Sequence, residues 1–339
     1  RPDSACPLAA GRGCRWPAAE ARVNSALPVA RGSGAHHDQP QVDTTCAAVV
    51  VHYRDAAATQ RCLASLRAQS PPPQVIVVDN ASPDGSGALL RERLADAPGV
   101  QLLEAEQNGG FGSGCNLGID WALAHLPHVQ HVLLLNPDAE LDANALAELR
   151  ALLHRHPRAV IAGCRIDDER GRPWFVNGRI PRLTLSGFHT RAPGPDEHQT
   201  AFVTGCCMLL DAAALRCGLR FDAAFFLYCE DADLCERVRA AGGELWLTQR
   251  VRCRHKGGGS QPGERVLGEC TAERLYWLTR AKGLFARRHL RPFERVAFVA
   301  VAVLLKPLAG LVISRSLRFL GPYLRGLRDG LAGGQKAKP

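Results

Sequence analysis

Four apolar runs of strand length, separated by segments of helix length, constrain this chain more than any other feature of it. Residues 46–53 (Cys46-Ala47-Ala48-Val49-Val50-Val51-His52-Tyr53) form a continuous, β-branched run of the kind found where a strand is covered on both faces. The pattern returns at 74–78 before Asp79, at 100–103, and at 131–135 before Asn136. The first intervening segment predicts a helix with Ala58, Cys62, Leu63 and Leu66 facing inward, and others are expected near 84–96 and 113–125. Strands alternating with helices at this spacing imply right-handed βαβ units, hence an α/β fold with a mostly parallel sheet flanked by helices. In such sheets ligands gather beyond the carboxyl ends of the strands. Asp79 and residues 136–138 fall at those ends.

Beyond 142 the alternation loosens. A helix is expected at 142–155, a strand at 160–162, a loop-rich stretch at 166–199 long enough to imply a role of its own, and a return to the core at 202–210. A helix over 231–241 buries Leu234 and Val238 and is stopped by Gly242-Gly243, and 244–247 reads as the next strand. Residues 1–44, rich in Ala, Arg, Gly and Pro without apolar periodicity, read as a disordered leader. The chain thus divides into that leader, a catalytic body over 45–262 with halves at 45–140 and 141–262, and a tail over 263–339.

Charge singles out the tail. Residues 271–339 carry fourteen Lys+Arg against Glu273, Glu294 and Asp329, so 14 − 3 = +11 of a whole-chain +9, and the rest sums to −2. A neutral body with a basic tail points to an anionic membrane surface rather than a generally basic protein. Nucleic acid is excluded as a partner, because no stacking aromatics interleave with the cations. Within the tail, 296–305 is apolar throughout, Lys306-Pro307 interrupts, and 308–313 resumes. A spanning helix needs roughly 20 apolar residues without such a break, so the expectation is a kinked amphipathic or re-entrant segment lying in the interface. The thirteen cysteines show no paired spacing, and no apolar signal segment opens the chain. They read as reduced, small core residues. The expected location is therefore cytoplasmic, peripheral on the inner face of the cytoplasmic membrane.

Three motifs carry chemistry. Asp79, at a strand end before a turn, can accept the imide N–H of a uracil or thymine ring, although Asp is also a common structural turn residue. Residues 106–118 are glycine-rich, but Gly110-x-Gly112-x-Gly114 is not the dinucleotide spacing, and no ribose-binding acid follows. The glycines instead let backbone approach a nucleotide or sugar closely. Finally Glu230-Asp231-Ala232-Asp233 opens a helix, and His255 follows. Taken alone, 230–233 is also an acidic first turn favoured by the helix dipole. A carboxylate at a strand end can hold a divalent cation, a second carboxylate can take a proton, and a histidine can complete the metal shell.

In this order, Val78-Asp79-Asn80, 108–118, Leu135-Asn136-Pro137-Asp138, Phe221-Asp222 with 225–228 and Glu230-Asp231, and His255 with Ser260 resemble the motifs of family 2 glycosyltransferases. The similarity runs from 46 to about 260 and is nearest to the rhamnosyltransferase-like branch that builds cell-surface polysaccharide. The resemblance implies a GT-A fold and an inverting transfer of a sugar, rhamnose among the choices. The donor would be a dTDP- or UDP-sugar, and the acceptor a glycan or polyprenyl-linked glycan. It also implies Asp231 as catalytic base with Glu230 beside it. Tyr53, Asp79, Asn80, Asn108, Gly110, Phe111, Asn116 and Asn136 would bind the nucleotide sugar, and Asp138 and His255 would hold Mg²⁺ or Mn²⁺. The glycines at 257–259 would form a loop closing over the donor. Two positions depart from the pattern: Asn136 stands where many relatives outside this branch have Asp, and Leu219-Arg220 replaces small residues, with altered acceptor contacts expected. They motivate an alternative, a nucleotide-sugar-binding or scaffold protein of the same fold without catalysis. Residues 249–252 do not match the Gln-x-x-Arg-Trp of processive synthases.

Overall fold

The computed structural model describes residues 42–191, 194–256, 265–267 and 270–333. Nearly all of the expected leader, the glycines at 257–259 and Ser260 lie outside the described residues. Strand β1 (Asp43–His52) starts three residues ahead of the apolar run. Its polar start is paired, because the Asp43 carboxylate accepts from the Thr45 N–H and from Arg150. There follow α1 (Ala56–Arg67), β2 (Pro73–Asp79), α2 (Ser86–Leu94), β3 (Val100–Glu104), α3 (Phe111–His125) and β4 (His131–Leu135). Next come β5 (Ala139–Leu141), α4 (Ala145–Arg155), β6 (Ala159–Asp167), β7 (Pro173–Phe175), β8 (Asn177–Gly178), β9 (His189–Thr190) and β10 (Glu197–Gln199). The body closes with β11 (Cys207–Asp211), α5 (Ala212–Arg216), α6 (Glu230–Ala240) and β12 (Glu244–His255).

The main sheet runs β10-β12-β6-β11-β4-β1-β2-β3, with β5 on β12 and β7 on β6. Strands β1 to β4 are parallel, as are β6 and β12, and β11 runs against both of its neighbours. The stretch at 166–199, expected as loop, is organised by β7 to β10. These pieces are two or three residues long, too short for an alternating pattern to show. Of the expected core return at 202–210, only the part from Cys207 onward is strand.

Successive side chains on β1 face opposite layers. Val49 and Val51 lie against Gly118 and Gly114 of α3, where an added Cβ would come within 2.4 Å and 2.6 Å of a valine methyl. His52 points the other way, into hydrogen bonds with Thr59 of α1 and Ser86 of α2. The helices therefore cover both faces, and the strand order turns back between β1 and β4, opening a crevice at their carboxyl ends.

The tail comprises α7 (Ala272–His289), α8 (Pro292–Ala300), a π-helical turn at Val301–Leu305, α9 (Lys306–Ser314) and α10 (Leu320–Ala332). Helix α7 is docked on the body: Arg280 donates to the Ala224 carbonyl and His289 pairs with Asp233. Helix α10 returns onto α7, with Gly326 and Gly330 so close to it that a Cβ would meet Thr279 Oγ1 at 2.2 Å and the Arg280 carbonyl at 2.1 Å. Between them Pro292–Ser314 forms one helical path of 23 residues, long and apolar enough to cross a membrane and mostly exposed. The π turn sits directly before Lys306-Pro307, where proline lacks an N–H.

Two glycine substitutions separate packing from helix propensity. Gly118→Ala should lower stability by roughly 1–3 kcal/mol, because overpacking against Val49 outweighs the propensity gain. Gly321→Ala, with nothing within 4 Å of the new Cβ, should raise stability by up to about 1 kcal/mol. Urea midpoints of both variants test the pair, and a stabilised Gly118→Ala would contradict the packing described.

Candidate active site

The end of β2 presents Asp79 and Asn80. Asp79 is buried, its Oδ1 accepting from the Ser82 N–H at 3.1 Å and Ser82 Oγ at 2.6 Å. Its Oδ2 occupies the space a side chain at Gly87 would need, 2.0 Å from the ideal Cβ. Asn80 is turned toward the glycine-rich loop. Its Nδ2 donates to Asn108 Oδ1 at 2.9 Å and to the Gly110 carbonyl at 3.2 Å, and its Oδ1 accepts from the Gly109 N–H. Asn108 Oδ1 also accepts from the Gly110 N–H at 3.0 Å. Asn80 and Asn108 thus form a clasp that shapes residues 108–110.

Gly110 itself has φ +85°, and a Cβ there would lie 1.9 Å from the Phe226 carbonyl oxygen. That contact brings the segment before α6 against the loop. Asn116 holds the same segment from α3: its Nδ2 donates to the Phe221 carbonyl and its Oδ1 accepts from the Phe221 N–H, both at 2.9 Å. Phe111 packs edge-on to Phe221 at 6.0 Å and against Gly205, where a Cβ would be 2.8 Å from the Phe111 ring. Tyr53, at the end of β1, lies under the Arg54 guanidinium. Arg220 is committed to Asp120 and to the carbonyls of Leu215 and Leu219.

Three residues join the two acidic motifs. The Gly205 N–H donates to Asp231 Oδ2 at 3.1 Å, and the adjacent Cys206 carbonyl accepts from the Asn136 N–H at 2.9 Å. On the Asn136 side, Asp138 Oδ1 stands 3.1 Å from His255 Nε2, and Asn136 Nδ2 stands 3.4 Å from the same nitrogen. The structure therefore brings Asn136, Asp138 and His255 into direct contact and links Asp231 to the Asn136 backbone through Gly205 and Cys206. The 204–206 strip was missed in the sequence, where it reads as part of an apolar core run; Gly205, small beside Phe111, was its one signal.

Electrostatics sort these groups. Burial lifts the Asp231 pKa, against the backbone N–H groups of Gly205 and Ala232 that favour the anion. Burial, and then the Asp231 charge, push Glu230 up to about 8, and among the described residues its Oε2 has no hydrogen-bond partner. Burial opposes the Asp138 carboxylate, but hydrogen bonding and charge from His255 leave its pKa lowered. Burial likewise opposes the His255 imidazolium, and Cys206 and Asp138 raise its pKa regardless. Among the described residues no group of three or more His, Cys, Asp and Glu gathers to hold a metal. The Asp138 carboxylate, with His255 as neutral imidazole, is nevertheless a donor set that fits a divalent ion keeping several positions for phosphate and water.

Residues 47–219 match the model of the family described as "Glycosyl transferase family 2". Among characterised proteins, the N-acetylglucosaminyl-diphospho-decaprenol L-rhamnosyltransferase of Mycobacterium tuberculosis is 30% identical over 227 residues, covering 60% of this chain and 72% of that protein. The crystal structure of S. aureus TarS 1–349 in complex with UDP-GlcNAc aligns over 85% of this chain and 81% of its own, with a TM-score of 0.54 at 16% identity. That of GalNAc-T7 with UDP, GalNAc and Mn²⁺ aligns over 72% of this chain at a TM-score of 0.54 and 18% identity, and this chain spans half of it. These likenesses confirm the α/β fold with its mostly parallel, helix-flanked sheet as GT-A.

The Glu230 environment predicts a pH signature. Its folded pKa of about 8 lies above the ordinary 4.5, so the unfolded chain releases this proton first. Stability is then lost as pH rises from 4.5 to 8. Glu230→Gln removes that loss, and should exceed wild type by roughly 2–4 kcal/mol at pH 8 while matching it near pH 4. Denaturant unfolding at both pH values checks this; equal gaps at the two would rule out a buried, protonated Glu230.

Proposed function

Since the chain belongs to glycosyl transferase family 2, we propose that it is an inverting, metal-dependent transferase. It moves a sugar, rhamnose first among the choices, from a dTDP- or UDP-sugar to a lipid-linked glycan in cell-surface polysaccharide synthesis. The observation that supports this reading is the 204–206 strip: the Gly205 N–H donates to the Asp231 carboxylate and the adjacent Cys206 carbonyl accepts from the Asn136 N–H, so one short turn links the two acidic motifs.

In this reading Asp231 accepts the proton of the acceptor hydroxyl as its oxygen attacks the anomeric carbon, and the bond to the nucleoside diphosphate breaks on the opposite face. Its raised pKa strengthens it as a base. Glu230, protonated at neutral pH, adds no second negative charge beside it. Asp79 and Tyr53 are assigned to the nucleoside at the ends of β2 and β1. Asn80, Asn108, Gly110, Phe111 and Asn116 set the loop and the floor against which the donor lies. Asp138 and His255 would hold Mg²⁺ or Mn²⁺, which supplies neutralisation of the charge on the leaving diphosphate, and Asn136 orients beside them.

For location, the reading is a protein lying on the inner face of an anionic membrane. The exposed apolar ridge of Phe293, Val296, Leu304, Leu308, Val312 and Ile313 supports it. So does the return of α10 onto α7, which keeps both ends of the 292–314 helix on the side of the catalytic body.

Two measurements test these readings. With a panel of nucleotide sugars and a lipid-linked acceptor, Asp231→Asn should lower turnover roughly 10² to 10⁴-fold with donor affinity unchanged. Unchanged turnover would remove Asp231 as the base, and donor binding without transfer by the wild type would favour the non-catalytic alternative. The double variant Leu304→Asp with Leu308→Asp should weaken sedimentation with phosphatidylcholine–phosphatidylglycerol vesicles at least roughly tenfold, and carbonate should strip the wild type from membranes. Retention in carbonate would indicate a span.

A further inference from the structure

A cavity of about 210 Å³ lies between α7 and the tail helices, with walls that include Leu275, Phe298, Ala302, Ile313, Phe319 and Tyr323. Two lysines, Lys282 of α7 and Lys306 of α9, stand in the same wall. Lys282 Nζ donates to Ser186 Oγ at 2.8 Å, and Lys306 Nζ to the Thr184 carbonyl. An ammonium carries three N–H donors, and each of these spends one on a neutral oxygen. Among the described residues that line the cavity there is no carboxylate to pair with either ammonium. Burial lowers both pKa values, and Lys282 adds to the effect on Lys306, which falls to about 8.

Two like charges brought together in an apolar cavity are costly unless an anion joins them. The anion that fits has an apolar body, because the rest of the wall is hydrocarbon. The wall also includes Gly310 and Ile313 of α9, the helix whose outer side forms the exposed apolar ridge. The cavity wall also includes Leu275, Thr279 and Lys282 of α7, the helix whose Arg280 holds the Ala224 carbonyl a few residues ahead of Glu230 and Asp231. The cavity therefore lies between the helix that carries the ridge and α7, which braces the segment leading into α6.

We propose that this cavity is the seat of the acceptor's lipid end: the phosphate of a long-chain isoprenoid bound between Lys282 and Lys306, with the first carbons of its chain against Phe298 and Phe319. The assignment rests on the lipid-linked-acceptor reading above. It commits to an isoprenoid phosphate rather than a phospholipid headgroup or a free phosphate, since bilayer phospholipid would leave its head at the ridge and inorganic phosphate would leave the apolar wall bare.

The test uses the full chain and vesicles of phosphatidylcholine alone, with phosphatidylglycerol, or with a long-chain polyprenyl phosphate. On the wild type, acylation of Lys282 and Lys306 by an amine-reactive reagent should fall several-fold only with polyprenyl phosphate, with exposed Lys256 as internal reference. Equal protection by phosphatidylglycerol, or by inorganic phosphate in solution, would overturn the assignment, as would no protection at all. The Lys282→Met, Lys306→Met double variant should lose the preference for polyprenyl-phosphate vesicles roughly tenfold or more, the loss of a charge-assisted contact. Its phosphatidylglycerol binding should be retained, with a melting temperature equal to or above wild type. A wild type without that preference would sink the lipid-linked-acceptor reading itself, whereas a preference that survives in the variant would sink this site alone.

Discussion

The carbonyl oxygen of Phe226 fills the place of a side chain at residue 110, and the arrangement of the catalytic half depends on that contact. Only glycine has both the φ of +85° and the missing Cβ that let the two backbones meet. On one side, Asn80 and Asn108 hold the loop from the end of β2. On the other, the segment from Phe221 is gripped by Asn116 and then turns through Tyr228 and Cys229, both left-handed at φ 70° and 61°. Consecutive non-glycine residues in that region cost of order 1–3 kcal/mol each and persist only where their surroundings over-determine them. Here the outcome is the direction in which α6 begins, hence the placing of Asp231 against Gly205.

The three carboxylates of that first turn look interchangeable in sequence and are not so in space. Asp233 is almost fully enclosed; burial opposes its charge, but His289 and Arg237 hold its pKa down. Glu230 is enclosed, with one oxygen unpartnered among the described residues, and keeps its proton. Asp231 faces the strip at 204–206 and is held by backbone N–H groups. A helix dipole would favour all three alike, so dipole stabilisation alone does not account for the sorting. Solvation and specific partners do. Asp233 ties α6 to α7, and Asp231 is left facing the site.

The sheet was legible because buried parallel strands advertise themselves: 46–53, 74–78 and 131–135 are apolar on both faces, and each falls on a strand of the core. Helix edges at 86, 111, 145 and 230 differ by one to three residues from expectation, the usual uncertainty where a chain enters a helix through glycine or an acidic turn. What could not be read was anything decided by contacts distant in sequence. That Asn80, Asn108 and Asn116 also clasp backbone, and Asn80 and Asn108 each other, is such a contact and leaves no mark in the motif. The strands within 166–199 are too short to carry a period, and the exposed ridge of 292–314 is visible as apolar residues whose face only the packing of α10 reveals.

Helix α7 explains why tail and body behave as one. His289, at its end, reaches Asp233 of α6, and Arg280 holds the Ala224 carbonyl just ahead of the Phe226 contact. The same helix offers Leu275 and Lys282 to the cavity under the apolar ridge and receives α10 along its glycine-smooth surface. A tail joined to the body only by a linker could adsorb to a membrane without informing the active site. One whose first helix braces the catalytic turn cannot move against a bilayer without moving the frame of Asp231. On the proposed reading, lipid contact and the positioning of Asp231 are therefore two loads on a single element, which is a physical reason for such a segment to be folded onto the body.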